Sequence, residues 1–564
     1  MTAFLDRLGR RLGLRTDTVI FFVSAGLTVA FVALAIAATE TVDRIFSNLS
    51  GWILDHLGWL YILGVTTFLL FLVWIALSRW GHVRLGGHDA RPEYGNRAWF
   101  AMLFAAGIGT ILMFWGVAEP ISHWAEPPRA DVEPRSEEAA ELAMAFSFYH
   151  FGLHTWSIFC LPALAFAYFV HQRRLPFRLS SVLQPLLGDR IHGPLGRVVD
   201  ITAVLGTLFG VAVSIGLGTL QINSGLAQLF GIEESQPVQV LLITVVTIIA
   251  TISVALGLDR GIKRLSSLNI GMAVGLLIFV FLTGATVFLA RGIIEMIGVY
   301  LGSLVPLAFW NDTFANTGWQ GQWTVFYWAW TITWSPFVGM FIARISRGRT
   351  IREFVLGVLA LPTAFTIIWF SVFGLSAIDI EREGDTGLVE AVVVQGDVSR
   401  ALFVFLENYP LATVVSAIAV LIVVIFFTTS SDSASLVVDT LCSGDREEPG
   451  PVRQRIFWAV TEGVVAGTLI AATGKSGLDA LAEVITVLGL PFFLIAFLMM
   501  ISLVRALNAD YPELRRPQLP HSIRRMPRSA QRARPTPGGP VPGAGTGPED
   551  SPGAPPGERP VGDG

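Results

Sequence analysis

Residues 323–343 read WTVFYWAWTITWSPFVGMFIA, a run without a single Asp, Glu, Lys or Arg. A helix of about 20 mostly apolar residues crosses a bilayer, so this stretch reads as a spanning segment. Its interior is unusual. Trp323, Trp328, Trp330 and Trp334 recur along it, although tryptophan normally gathers at the two membrane interfaces. Trp334-Ser335-Pro336-Phe337-Val338-Gly339 then puts a proline and a glycine at membrane depth, where any freed backbone group has to be satisfied by protein, water or ligand. The segment is expected to unwind there and to present a wall of rings.

Eleven further stretches of similar length and polarity flank it, at about residues 18–40, 58–78, 98–118, 141–170, 198–225, 238–257, 266–290, 354–376, 408–431, 456–473 and 480–505. The composition agrees: 53% of the 564 residues are hydrophobic and 15% are charged, where a soluble globular chain carries about 25% charged. A water-soluble fold is excluded. A net charge of −4 leaves no basic surplus for nucleic acid, and two cysteines, Cys160 and Cys442, give neither a disulfide framework nor a zinc cluster. The fold expected is an all-α polytopic membrane protein of twelve transmembrane helices.

Loop charges orient it. Counted over alternate loops, twenty-three Lys and Arg residues fall on the side of the amino terminus and seven on the other. Basic residues accumulate in cytoplasmic loops, so both termini are expected inside a multi-pass protein of the cell membrane. The segment 292–318 is too interrupted by polar residues to be expected to cross, but Ile293, Ile294, Ile297, Tyr300 and Leu301 recur at helical spacing, so it is expected to lie in the interface. From residue 508 the chain turns basic, with Arg515, Arg516, Arg524, Arg525, Arg528, Arg532 and Arg534, and then Pro/Gly-rich to Gly564. Such a tail is expected to be disordered, its arginines serving as an ordinary inside anchor or as a contact to anionic lipid.

A second candidate interruption lies in the third span, at Gly107-Ile108-Gly109-Thr110. Glycine in an apolar helix is as often a close-packing contact as a break. The two candidates are five spans apart, however, and an odd number of spans inverts the second unit against the first. The arrangement therefore matches a 5+5 inverted repeat, helices 3–7 and 8–12, with a site at the midplane. The organisation expected is an amino terminus at 1–17, two extra helices at 18–97, a first repeat at 98–291, the interfacial segment at 292–318, a second repeat at 319–507 and the tail at 508–564. The fourth span is also ring-rich, reading Phe148-Tyr149-His150-Phe151-Gly152-Leu153-His154-Thr155-Trp156-Ser157-Ile158-Phe159. Ring faces can hold a quaternary ammonium without hydrogen bonds, while aromatic stripes at this spacing also serve plain packing.

The residues Phe341–Phe354, FIARISRGRTIREF, together with the aromatic run before them, resemble the signature of the betaine/choline/carnitine transporter family. Met113-Phe114-Trp115-Gly116-Val117-Ala118-Glu119-Pro120, Arg84-Leu85-Gly86-Gly87, Arg91-Pro92-Glu93-Tyr94 and Thr429-Ser430-Ser431-Asp432-Ser433 extend the resemblance over about residues 15–510. It implies the leucine-transporter fold with two added helices, assembly as a homotrimer, and no enzymatic activity. Carried over by residue, it implies a substrate site of Gly107, Ile108 and Gly109 with Phe151, Trp156, Phe159, Trp328, Trp330, Thr331 and Trp334. Two positions depart from the betaine carriers: Thr331 stands where a tryptophan is usual, and Phe159 lacks a tyrosine hydroxyl.

Sodium, the implied coupling ion, wants oxygen ligands from broken-helix carbonyls and neighbouring hydroxyls. The resemblance implies one site at Ala105, Ile108, Phe426, Thr429 and Ser430, and a second at Thr207 and Phe337 that is short of an oxygen because Val211 occupies its other threonine position. No organic cofactor is implied. Asp432 sits just past the sodium residues, and an intramembrane carboxylate is a functional candidate by default. His150 and His154 stand one turn apart without a third ligand in the sequence, which favours packing over metal. Glu119 is expected to end the third helix at the outer surface. The function expected is sodium-coupled import of a quaternary-ammonium or related zwitterionic compatible solute. The alternatives are a sodium-independent exchanger of the same fold or a carrier of a non-quaternary osmolyte such as ectoine.

Overall fold

The computed structural model of the chain describes residues 2–514 except 108, 257–258, 385, 445–449 and 474–476. Side chains at 104–107, 110, 259–263, 472–473 and 477–479 also fall outside the description, as does the whole tail from residue 515. Residues 1–512 form one compact unit. It is helical throughout, and among the described residues the only β pairing is an isolated antiparallel bridge between Arg84 and Thr350.

Ten helices among the described residues are long and apolar enough to cross a membrane. Nine coincide with expected spans; the second of these, Thr39–Leu77, starts some 20 residues earlier than hydropathy placed it. The tenth is Thr286–Phe309, which overlaps the stretch 292–318 expected to be too polar. Its polar residues are few enough for a continuous helix, and its register buries Gly292, Met296 and Tyr300 while Ile294 and Leu301 stay exposed. Two hydrogen bonds fasten it to its neighbours: the Thr66 hydroxyl donates to the Ala308 carbonyl at 2.8 Å, and the Leu153 amide donates to the Tyr300 hydroxyl at 3.1 Å. The eighth and eleventh expected spans form the uninterrupted helices Phe326–Ile345 and Val452–Thr473.

The third span is cut as expected. One helix ends at Gly107, the next begins at Thr110, and Gly109 between them is fully extended at φ −134°, ψ 174°. The eighth span corrects the expectation, because helix Phe326–Ile345 runs unbroken through Pro336. A proline cannot donate to the carbonyl four residues back, and here the Ser335 hydroxyl supplies the missing proton, donating to Ile332 at 2.7 Å. Gly339 is a packing contact, since a Cβ there would stand 3.2 Å from the Ala163 nitrogen and 3.3 Å from Pro162 Cβ. A break that the sequence did not announce lies in the fourth span. Glu137–Phe151 and Leu153–Phe166 meet at Gly152, whose φ −97°, ψ −132° bends the chain and whose added Cβ would strike the Phe148 carbonyl oxygen at 2.4 Å.

Two of the quoted motifs meet at one end of the bundle. Gly348 donates to the Leu85 carbonyl at 2.7 Å, Leu85 to Arg349 at 2.9 Å and Ile351 to Val83 at 2.9 Å, so the loop after helix Phe326–Ile345 is stitched to residues 83–85. Arg349 stacks over Trp99 at 4.6 Å and donates to the Tyr94 carbonyl at 2.8 Å. Gly348 has φ +82°, and a Cβ on it would lie 2.2 Å from the Arg91 carbonyl. Left-handed backbone costs an L-residue about 1–2 kcal/mol before any clash. Gly348→Ala should therefore destabilise the purified protein by more than about 2 kcal/mol. The check is the midpoint of thermal unfolding in detergent, read beside Gly298→Ala, where a Cβ meets nothing within 4 Å.

Candidate functional site

A cavity of about 410 Å³ opens beside the cut in the third span, with Gly109 on its wall. Helix Leu153–Phe166 contributes Trp156 and Phe159, whose rings meet edge to face at 5.4 Å, and Phe151 enters from just before the Gly152 bend. Phe151 is backed by Phe370, stacked at 4.9 Å, and by the edge of Tyr327 at 4.8 Å. Helix Phe326–Ile345 contributes Trp330, Thr331 and Trp334. Positions 330 and 334 are one turn apart and so share a face, whereas position 328 points the other way.

One residue sets the orientation of both indoles. Ser214 Oγ accepts the Trp330 Nε1–H at 2.9 Å and the Trp334 Nε1–H at 2.9 Å, while its own proton goes to the Gly210 carbonyl at 3.0 Å. Trp334 Nε1 also reaches the Gly210 carbonyl at 3.0 Å. With both ring edges tied to helix Pro194–Phe230, the ring faces are what remains for the cavity. Thr331 adds a methyl and a hydroxyl already donated to the Tyr327 carbonyl at 2.7 Å. The lining continues past Phe337 and Phe341 to Arg344, which stacks over Phe177 at 5.0 Å.

Phe426, Thr429 and Ser430 of helix Ala412–Cys442 line the same cavity. The Thr429 hydroxyl donates to its own helix, to Ile425 at 2.9 Å and Phe426 at 3.1 Å. A hydroxyl that donates keeps its two lone pairs, so this back-bond aims the oxygen without consuming its ligand capacity. The site therefore offers both hydroxyl oxygens and π-faces in one cavity.

The remaining expected residues fall elsewhere. Trp328 is fully buried outside the cavity, with Tyr149 edge-on at 5.2 Å and His154 stacked at 5.9 Å, because its side of the helix faces the fourth span. Gly107 ends its helix at the cut and Ala105 lies within that helix; Ile108 lies outside the described residues. Phe337 lines the cavity, but Thr207 does not; Thr207 is fully buried with its hydroxyl unbonded, one turn from the buried Val211. Glu119 is not at an outer surface. It is buried and pairs with His150 at 2.7 Å, so His150 belongs with the third span and not with His154. Asp432 is buried and faces Arg455 at 3.8 Å across to helix Val452–Thr473. Sequence reasoning missed Ser214, which sits in an apolar run with no motif around it, and missed Thr366 and Ser266 in the lining.

The family model for BCCT, the betaine/carnitine/choline family transporters, matches residues 19–512. The ectoine/glycine betaine/proline transporter of Corynebacterium glutamicum is 50% identical over 507 residues, covering 90% of this chain and 82% of its own length. The glycine betaine transporter of Acinetobacter baylyi is 44% identical over 515 residues, covering 91% and 76%. The high-affinity choline transport protein of Escherichia coli is 39% identical over 504 residues, covering 88% and 73%. A helical membrane bundle around a ring-lined cavity and a match along nearly its whole length agree: the chain is a multi-pass membrane protein of the betaine/carnitine/choline transporter family, a family of carriers and not of enzymes.

Proposed function

We propose that this transporter couples the inward movement of sodium to the import of a quaternary-ammonium or related zwitterionic compatible solute by alternating access. The observation that carries the reading is one cavity whose lining brings the rings of Trp156, Phe159, Trp330 and Trp334 together with the hydroxyls of Thr429 and Ser430. A methylated ammonium has no proton to donate, so the faces of tryptophan are its natural partners. A bare sodium ion needs hard oxygens, which the hydroxyl pair and the peptide groups beside the cut in the third span can supply. Thr207 with Val211 gives a second ion at most one hydroxyl, so the reading is of one sodium ion, held by Phe426, Thr429 and Ser430 together with carbonyls near Ala105 and Ile108.

Substrate breadth follows from Thr331. A threonine in place of a ring removes one π-face and widens the cavity, which favours acceptance of non-quaternary solutes beside glycine betaine. The relative named for ectoine, glycine betaine and proline supports that second reading. The fuller architecture belongs to the same proposal: twelve spans as a 5+5 inverted repeat after two added helices, helix Thr286–Phe309 lying along the outer face, both termini cytoplasmic, the tail arginines against anionic lipid, and a homotrimer.

Reconstituted into liposomes, the protein should take up glycine betaine or ectoine only with sodium outside, and uptake that persists in a sodium-free potassium buffer refutes the coupling. Thr429→Val, which keeps the shape and loses the oxygen, should raise the sodium concentration for half-maximal uptake at least tenfold. Trp156→Ala should weaken apparent affinity for glycine betaine by about 1–2 kcal/mol if the ring faces the ammonium. The comparison is with Trp328→Phe, which lies outside the cavity and should leave apparent affinity unchanged; equal effects at 156 and 328 would return Trp156 to packing.

A further inference from the structure

Outside the transport cavity, three side chains from two helices converge on one buried point. Glu119 and His123 stand one turn apart on helix Thr110–Ala125, and His150 comes from helix Glu137–Phe151. Glu119 Oε1 lies 2.7 Å from His150 Nδ1 and 3.4 Å from His123 Nε2, and all three ligand atoms lie within 4.8 Å of one another. Each side chain is at most 1% exposed. A carboxylate this deep needs a positive partner. Among the described residues its only ion pairs are with the two imidazoles.

The polar groups at this point leave room for a ligand: Glu119 Oε2, His123 Nε2 and the Tyr327 hydroxyl are all buried, and none makes a well-aligned hydrogen bond, although His123 and Tyr327 both lie beside Glu119. The second nitrogen of His150, Nε2, is 2.8 Å from Thr324 Oγ1. Nδ1 shares a hydrogen bond with Glu119 Oε1, and binding of an ion would release that proton, turn the Nδ1 lone pair to the metal and leave Nε2–H to donate to Thr324, which is how metal-ligating imidazoles are usually held. Rings wall the point off: Trp323 lies 4.5 Å and Trp319 5.0 Å from His123, and Trp319 stacks on His150 at 5.8 Å.

We propose that Glu119, His123 and His150 bind a divalent transition-metal ion, zinc by the chemistry of the ligands. Two imidazole nitrogens and one carboxylate are a common zinc set, with bonds near 2.0–2.1 Å and a fourth place left to water or a hydroxyl. Ligand atoms on a tetrahedral ion stand about 3.3 Å apart, so the Glu119–His123 spacing already fits and His150 has to withdraw by about half an ångström. The ion ties the third span to the fourth and, through Thr324, to the entry of helix Phe326–Ile345. It is separate from the substrate and from the coupling ion, since none of the three ligands lines the transport cavity.

The test uses the full chain in detergent with its affinity tag removed and its metal stripped by chelator, titrated first with Co²⁺ and then with Zn²⁺. One equivalent of Co²⁺ should give the visible absorption of a four-coordinate ion, and one equivalent of Zn²⁺ should abolish it. Glu119→Gln and His123→Asn should each weaken the Co²⁺ titration at least tenfold. Thr324→Val, which leaves all three ligands in place, should weaken it less, and His154→Asn should not change it. Gel filtration of every variant, with the Zn²⁺-induced rise in unfolding temperature, keeps a misfolded variant from being scored as a lost site. A parent protein that gives no visible Co²⁺ band, or the same band and the same zinc stabilisation in Glu119→Gln, overturns the site and leaves a proton as the charge that balances Glu119.

Discussion

An unpaired peptide group inside hydrocarbon costs several kcal/mol, and the architecture of this chain follows from where it accepts such groups and how it satisfies them. Three of the places that free them show the range of answers: the gap between Gly107 and Thr110, the bend at Gly152, and Pro336. At Pro336 the loss is local, because the Ser335 hydroxyl reaches Ile332 and the helix passes through. At Gly152 the repair comes from a distant helix, with Tyr300 accepting the Leu153 amide. At Gly109 no side chain caps the new helix, and that residue opens onto the cavity. The site sits where the chain did not repair its own backbone.

Around that gap, rigidity comes from hydrogen bonds placed at ring edges. Tryptophan binds a cation only with its face, so an indole is useful in proportion to how firmly its N–H is held elsewhere. Ser214 holds two at once and passes its own proton to Gly210. Loss of that hydroxyl would leave the buried Trp330 N–H seeking an acceptor and Trp334 held by the Gly210 carbonyl alone. Thr331 and Trp330 show the complementary principle. Adjacent positions on one helix differ by about 100°, so a single substitution at 331 changes the cavity's width without touching the indole at 330.

The spans were legible because twenty apolar residues announce themselves, whereas the glycines at Gly107–Thr110 fit packing as well as a cut until their place five spans before the second candidate is weighed. Pro336 misled for a definite reason: the residue that repairs it is its own neighbour, Ser335, and the glycine counted toward the break, Gly339, is a packing contact. Trp328 was grouped with Trp330 and Trp334 by composition, while helical phase separates them. Residues whose roles lie in pairing across the bundle were not legible. Ser214 has no pattern around it, and Glu119, His123 and His150 span thirty residues and two helices. The segment 292–318 was judged on its polar residues, whereas the helix at Thr286–Phe309 hides one face against the bundle and leaves an apolar one outward.

Satisfaction of polar groups also separates particular scaffold elements from particular sites. Where the chain's own atoms close the inventory, as at Gly348 against Leu85 or Ser335 against Ile332, the element is structural. Where buried polar atoms stay unbonded, the fold holds capacity that a packed apolar side chain would have filled with less penalty. Thr207 Oγ1 is such an atom near the cavity helices, and Glu119 Oε2 with His123 Nε2 is such a pair outside them. Burying a carboxylate among tryptophans without an arginine or lysine is a costly arrangement. The imidazoles of His123 and His150, a proton or a bound cation can each offset that charge, and the chemistry of Glu119 is set by which of them does.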